Sequence, residues 1–494
     1  MSTVEFANGG ERTPLSPIKL RKAWLGLDEN DRAVEFASSQ VGAFAVCLAV
    51  IAALGLSFQL SFSALGLVSV SLLAMVALPS HRLLILSGAS LFYFALRPFR
   101  IDGWSQLLRA KAEAISFLPH PLVLQFGAVG IVLALSLLFL LWQKKYSHAT
   151  AAKRPVLTLC LLWGAMLLVA LLTTTGSLIN SIMWSVVGVS ISSLWILAYS
   201  AVDAKGKDQT STVSRAVFLR PFWGGGAAPI GKSYGYLNRF AAKSDDELAV
   251  TRLKALKLAV WALLLTAVLK IVTYVAYDVI GLTELQTAIL AHANGSALSA
   301  SVNWGSLIAN YLIDLLIISV WGHFIVSIVR MCGYRIPRNT VNPLASRTLA
   351  EFWNRYFFYF KELLVDFFFY PAFTKFFKKN LKLRIAFATL CAAGLGNFMY
   401  HFMRETYVFA EGDLLEKFTI FQSAAFYSLA LAAGLIVSQW RGKKVAPEDG
   451  FFNYHVWPRV NVIAFFCFLK IFDDISGQGS LSERASFAVS LFGV

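Results

Sequence analysis

About eleven stretches of this chain are apolar enough, and nearly long enough, to be read as membrane spans. They fall at 41–58, 63–80, 83–97, 121–142, 155–174, 179–200, 256–280, 306–329, 384–403, 418–438 and 457–472. Inside a bilayer only helices and closed barrels satisfy every backbone polar group. Runs of this length recurring through 494 residues therefore predict an all-α polytopic membrane protein of about eleven spans with added re-entrant or interfacial helices. With 57% hydrophobic and only 15% charged residues, a soluble enzyme and a disordered chain are both excluded.

The charge of +16 follows the spans. Segments 143–154, 203–255, 330–383 and 441–456 are basic, whereas 175–178, 281–305 and 404–417 carry almost no Lys or Arg, or are acidic. From the fourth span onward this alternation puts every basic loop on one side, the cytoplasmic one by the positive-inside rule. The same count places 98–120, with Arg97, Arg100, Arg109 and Lys111, on the other side, against the rule unless an early run is re-entrant. The organisation expected is a cytoplasmic segment 1–40, which carries Glu11, Arg12 and Lys19 and lacks the pattern of a cleavable signal, then helices over 41–200, then a core over 201–494 with long loops 203–255 and 330–383. The basic surplus suits anionic headgroups and points to no nucleic acid. No internal repeat is present, which disfavours a duplicated transporter. Cys47, Cys160, Cys332, Cys391 and Cys467 form no CxxC pair and read as small core residues, and no cluster has metal-ligand spacing.

Two loops carry the remaining signal. Residues 226–233 (GAAPIGKS) satisfy the phosphate-loop pattern, but no apolar strand precedes them, so nucleotide hydrolysis is not expected. Glycine-rich backbone there demands a protein or water-filled surround if it lies at membrane depth. In 349–371, Glu351, Arg355, Glu362 and Asp366 fall within about 60° on one helical face, with Asn354 and Lys361 at its margin and aromatics opposite. Two readings stay open: an interfacial helix with its charges in water, or a charged stripe facing a polar cavity. Pro371 is expected to end that helix.

Of seven histidines, His323 and His401 lie within apolar runs, where ionisable groups generally face a bundle interior or a wet path. Asn397 precedes His401 by one helical turn, after Gly394 and Gly396. Such a pair suits substrate binding or base catalysis, and equally a hydrogen-bonded interfacial histidine.

Segments 87–95 (SGASLFYFA), 222–230 (FWGGGAAPI), 263–270 (LLLTAVLK), 331–339 (MCGYRIPRN), 352–356 (FWNRY), 366–371 (DFFFYP), 465–472 (FFCFLKIF) and 486–493 (SFAVSLFG), in this order, resemble the membrane-bound O-acyltransferase (MBOAT) family. The similarity is to its bacterial branch of alginate O-acetyltransferase and teichoic-acid D-alanyltransferase. The chain departs from that pattern at Phe357, where the branch has His or Asn. His401 is displaced by a few residues from the branch's W-H-G element, and Asp314 lies about one turn from its Y-x-D-F position.

The resemblance implies a membrane-embedded enzyme, in the bacterial inner membrane as in that branch, that moves an acyl group, acetyl by analogy, from a cytoplasmic thioester to a hydroxyl of an envelope polysaccharide or related acceptor. The thioester, acyl-CoA or acyl carrier protein, is a co-substrate and no permanently bound cofactor is implied; an extracytoplasmic partner protein is. On this reading His401, Asn397 and Asn354 are the catalytic candidates, and Trp353, Arg355, Lys361, His323 and Asp314 the substrate-binding ones. Phe357 and the displaced histidine leave open an alternative: a catalytically degenerate scaffold or carrier-binding subunit.

Overall fold

The computed structural model describes residues 17–493 except 100, 116–119, 207–209, 225–227, 297, 442–445 and 475–477, with side chains from Arg21 onward. Glu11, Arg12, Arg100, Lys443, Lys444 and the centre of the glycine-rich loop lie outside the described residues, as does the Lys19 side chain.

The elements are helical, apart from one isolated antiparallel bridge between Ala241 and Tyr334. In chain order the principal ones are α1 (Asp31–Ser38), α2 (Gln40–Leu56), α3 (Phe62–Ala77), α4 (Arg82–Leu96), α5 (Asp102–Glu113), α6 (Pro121–Lys145), α7 (Pro155–Leu172) and α8 (Leu178–Asp203). There follow α9 (Asp245–Tyr274), α10 (Ala300–Met331), α11 (Leu349–Tyr356), α12 (Phe358–Leu364), α13 (Leu381–Ala410, including a π turn), α14 (Gln422–Arg441) and α15 (Trp457–Leu469). Among the described residues eight helices are long and apolar enough to cross a membrane, or up to ten if two bent pairs each count as one span. The protein is a multi-pass helical membrane protein.

Local chemistry starts these helices where the chain leaves a loop. Ser177, Ser244, Ser299 and Thr348 each accept a hydrogen bond from the backbone N–H three residues on, capping α8, α9, α10 and α11. Three acidic residues in the first turn of α9 suit its positive dipole end. Pro121 and Pro155 open α6 and α7, where an amide would have no helical partner.

The helices differ in how much protein surrounds them. The apolar window of α8 is 83% buried and that of α10 is 67%, against 33% for α6 and 28% for α7, so α8 and α10 are central and the others present side chains to lipid. Helices α9 and α10 meet along a seam of small residues, with Ala255, Ala259 and Ala262 fully buried and Ser327 Oγ donating to the Ala255 carbonyl at 2.8 Å. Close backbone approach is the usual route to helix association in lipid. One apolar cluster runs from Ala37 to Tyr359 and so crosses the expected boundary at residue 200.

Contacts at helix ends explain the charge anomaly of the first spans. Asp28 pairs with Lys254 and Lys257 at the start of α9, and Arg82 reaches the Ala242 carbonyl, so both belong to the basic face. Helices α3 and α4 are bent apart by 117°, and Arg97 at the far end donates to Ser61 and Ser63 at 2.9 and 3.0 Å. The pair thus returns to the face where it began. Helix α5 belongs to that opposite face too, since Trp104 donates to the Arg404 carbonyl and Lys111 is buried against the bundle. Of its two basic residues Lys111 is enclosed by protein and withdrawn from the headgroups, which relaxes the positive-inside constraint in part, while Arg109 is exposed.

Candidate functional site

Helix α13 does not run regularly. Residues Leu390–Gly396 form a π turn that ends where the Asn397–Glu405 segment begins; such irregularities occur frequently at functional sites. The glycines permit it: a Cβ on Gly396 would stand 2.7 Å from the Phe368 ring, so the neighbouring π turn Val365–Phe369 could not approach. The next residue, Asn397, is fully buried, and neither its amide nitrogen nor its oxygen has a partner. The Nδ1 of His401, on the same face, is likewise buried and unpartnered. Unsatisfied groups cost about 1–3 kcal/mol each, so three of them at one place need an explanation such as water or a ligand.

The charges nearest this pair come from three other elements. Lys470, just past α15, bridges Asp314 of α10 at 2.6 Å and Asp473 at 2.8 Å. His401 lies within electrostatic reach of Asp473, Lys470 and Arg404, and Tyr356 and Tyr427 lie within reach of Lys470 and Asp473 too. Protein surrounds Lys470 and Asp473 almost completely, yet Asp314 keeps 39% of its side-chain surface, Asp473 34% and Lys470 23%. The three charges are thus partly exposed, and solvation there offsets part of the cost of burying them. The ring of His401 itself stands 6.3 Å from that of Phe360 and 5.5 Å from that of Tyr400.

The aromatic segment brings a second buried network. It is not one helix: the chain breaks at Phe357 (φ −139°) between α11 and α12, and again at the π turn. Pro371, expected to end the helix, lies instead in the first turn of the next one, Tyr370–Lys375. The π turn ahead of it already interrupts the regular ladder, so the missing amide is tolerated there. The expected charged stripe is consequently divided. Glu351 and Arg355 pair with each other at 2.7 Å near the surface. Glu362 and Asp366 turn inward and hold Lys232 at 3.1 and 2.7 Å, with Tyr199 donating to Asp366 at 3.0 Å. Lys232 sits in the left-handed region (φ 51°) after Gly231, a strained position for a residue with a side chain. Its two carboxylates account for the lysine of the phosphate-loop pattern, and Ser233 caps a helix of six residues and bonds Asp203. The flanks of the glycine-rich loop, Phe222, Trp223 and Ile230, are buried in protein as its composition demands.

Of the sequence-derived candidates, Asp314 belongs to the Lys470 set, His401 lies within electrostatic reach of Lys470 and Asp473, and Asn397 lies one turn before His401, while Trp353 meets Phe360 at 6.0 Å between ring centroids. The others do not gather there. Asn354 is exposed, almost opposite on α11 to the buried Phe352 that stacks on Phe466. Arg355 is committed to Glu351, and Lys361 to Glu362 and the face of Phe358. His323 is buried higher in α10, bonded to the Ser319 carbonyl at 2.6 Å, and the charges facing it are Arg330 and Arg338. Sequence reading missed the roles of Lys470 and Asp473; a lysine at the end of an apolar run with an aspartate three residues on was the available signal. A pocket of about 700 Å³ is lined by residues of α11, α14 and α15 at the basic face, and His401 is not among them.

No family model and no curated protein matches the chain.

Proposed function

We propose that the protein is a membrane-embedded O-acyltransferase that passes an acyl group from a thioester supplied at the basic face to a hydroxyl acceptor arriving from the opposite face. The observation that carries this reading is the unpartnered Asn397–His401 pair, with the partly exposed Lys470–Asp473 pair within electrostatic reach of His401. A neutral imidazole can take the acceptor's proton as its oxygen attacks the thioester carbonyl carbon. The Asn397 amide N–H, which has no other acceptor, is available to the oxyanion of the tetrahedral intermediate. As the C–S bond breaks, the imidazolium returns the proton to the departing thiolate. Asp473, within electrostatic reach, favours the transient imidazolium, and Lys470 keeps that carboxylate from holding the proton permanently. The resemblance to the bacterial branch motivates acetyl as the acyl group, an inner-membrane location, an envelope polysaccharide as acceptor and an extracytoplasmic partner.

The segment 349–375 enters from the basic side and reaches Tyr400 and His401 through Phe360. Its depth supports a meeting of donor and acceptor inside the protein. The test is transfer of radiolabelled acetyl thioester to candidate acceptors by the full chain in proteoliposomes. His401→Ala is expected to lower the rate by about 10²–10⁴-fold, the usual contribution of a positioned base. Equal rates for the two proteins would overturn the assignment of His401, and no transfer by wild type to any acceptor would favour a scaffold.

A further inference from the structure

The 700 Å³ pocket at the basic face belongs to neither polar network. Its floor is apolar, formed by Leu349, Val437, Val462 and Phe465. Its rim sets Arg347 and Arg441 against a single carboxylate, Asp449, with the amides of Asn453 and Asn461 between. Arg347 is held for binding: its guanidinium lies 3.7 Å over the Tyr454 ring, Nη1 donates to the Tyr454 hydroxyl at 2.6 Å, and Nε is buried with no partner. Trp440 and Trp457 beside the pocket are about half exposed. Exposed tryptophans at span ends mark headgroup depth, so the rim lies among headgroups and the floor among the first methylenes. Asn461, one turn into α15, is exposed on a span, where an amide needs a polar partner.

We propose that this pocket binds a phosphate ester bearing an apolar tail, and that its occupant is an anionic phospholipid of the surrounding leaflet. The phosphate lies between Arg347 and Arg441, and the proximal acyl carbons lie on Leu349 and Phe465. The lining carries two guanidiniums and one carboxylate, which selects an anion. The volume is far larger than a free phosphate needs and falls in the range of small-molecule sites, about 300–1,000 Å³. The apolar floor disfavours a ligand that is polar throughout. This inference does not rest on the acyltransferase reading.

The experiment uses the full chain in nanodiscs of mixed phosphatidylglycerol and phosphatidylcholine, followed by native mass spectrometry of the lipid retained. Phosphatidylglycerol is expected to be retained about tenfold over phosphatidylcholine, corresponding to about 1.4 kcal/mol. Arg347→Gln with Arg441→Gln is expected to abolish that preference. Because Arg347 also bonds Tyr454, Ser438→Phe supplies a second variant that fills the pocket and leaves both arginines, and it too should lose the bound lipid. Equal retention of the two lipids, or undiminished preference in both variants, would overturn the proposal. Displacement of the bound lipid by soluble acetyl-coenzyme A, but not by inorganic phosphate, would assign the pocket to the thioester and overturn the lipid.

Discussion

Replacing Lys470 by methionine tests whether the charged set beside His401 is held together electrostatically. Lys470 Nζ lies 2.6 Å from Asp314 and 2.8 Å from Asp473. Because both carboxylates reach one nitrogen, their oxygens lie within about 5 Å of each other, and two such charges repel by about 3 kcal/mol at an effective dielectric near 20. Removing one member of a fully buried charge set costs about 3–5 kcal/mol. All three side chains here keep between 23% and 39% of their surface, and water reaching them lowers that figure. The expected loss for Lys470→Met is about 2 kcal/mol. The triple variant Lys470→Met, Asp314→Asn, Asp473→Asn removes the repulsion and should recover most of the loss. The assay is unfolding of the purified chain in bicelles by steric trapping, with single, double and triple variants forming a cycle. A single variant within about 0.5 kcal/mol of wild type, or a triple variant no more stable than the single, would refute the account of this set as a mutually stabilised cluster.

Three further outcomes are expected. Asn397→Leu removes two unsatisfied buried atoms, so stability should be unchanged or rise by about 1 kcal/mol while acyl transfer falls about 10²–10³-fold; loss of stability instead would give Asn397 a structural role. Gly42→Ala would set a Cβ 1.7 Å from the Phe36 carbonyl oxygen at the 96° bend between α1 and α2, a backbone clash that should cost about 3 kcal/mol, read by the same unfolding assay. Burial raises the Asp28 carboxyl, but the hydrogen bond from Lys257 and the charges of Lys257 and Lys254 outweigh it and hold the group below its ordinary value. Its stabilisation is therefore complete above the unfolded value of about 3.9 and lost as pH falls through the lower folded value. Proteolysis of the segment before α1 should accelerate over that acid range in wild type, and in Asp28→Asn should be fast already at neutral pH.

The spans were legible because lipid imposes one requirement on every residue of a span, and that requirement is local. The run 179–200 corresponds to α8 and 306–329 to the middle of α10. The irregular parts were not legible, since they depend on what lies opposite. Nothing local to 349–371 announces that the chain breaks at Phe357, or that Glu362 and Asp366 turn to a lysine more than a hundred residues earlier. The face of a helix can be drawn from its period, but a π turn rotates everything after it, and both the aromatic segment and α13 contain one. The one-turn relation of Asn397 and His401 was legible because both lie after the π turn of α13, within regular helix. Asn354 was put forward as the amide nearest Phe357 in the chain, and nearness in sequence does not say that α11 turns it outward.

The two π turns also account for how the aromatic segment can serve both polar networks. Val365–Phe369 lies against Leu390–Gly396 through Phe368 and Gly396. On one side of that contact Asp366 reaches Lys232 and Tyr199; on the other, Phe360 stands against Tyr400 and His401. A regular helix over 349–371 would carry Glu351 and Asp366 on one face and could not send the first to the surface and the second into the core. The break at Phe357 permits that division. Its ring, 5.7 Å from that of Phe360, fills the space beside the break with hydrocarbon. A polar side chain at 357 would stand beside the same ring that faces His401. Within the proposed function, the imidazole therefore has to come from α13, and His401 is the histidine that helix carries.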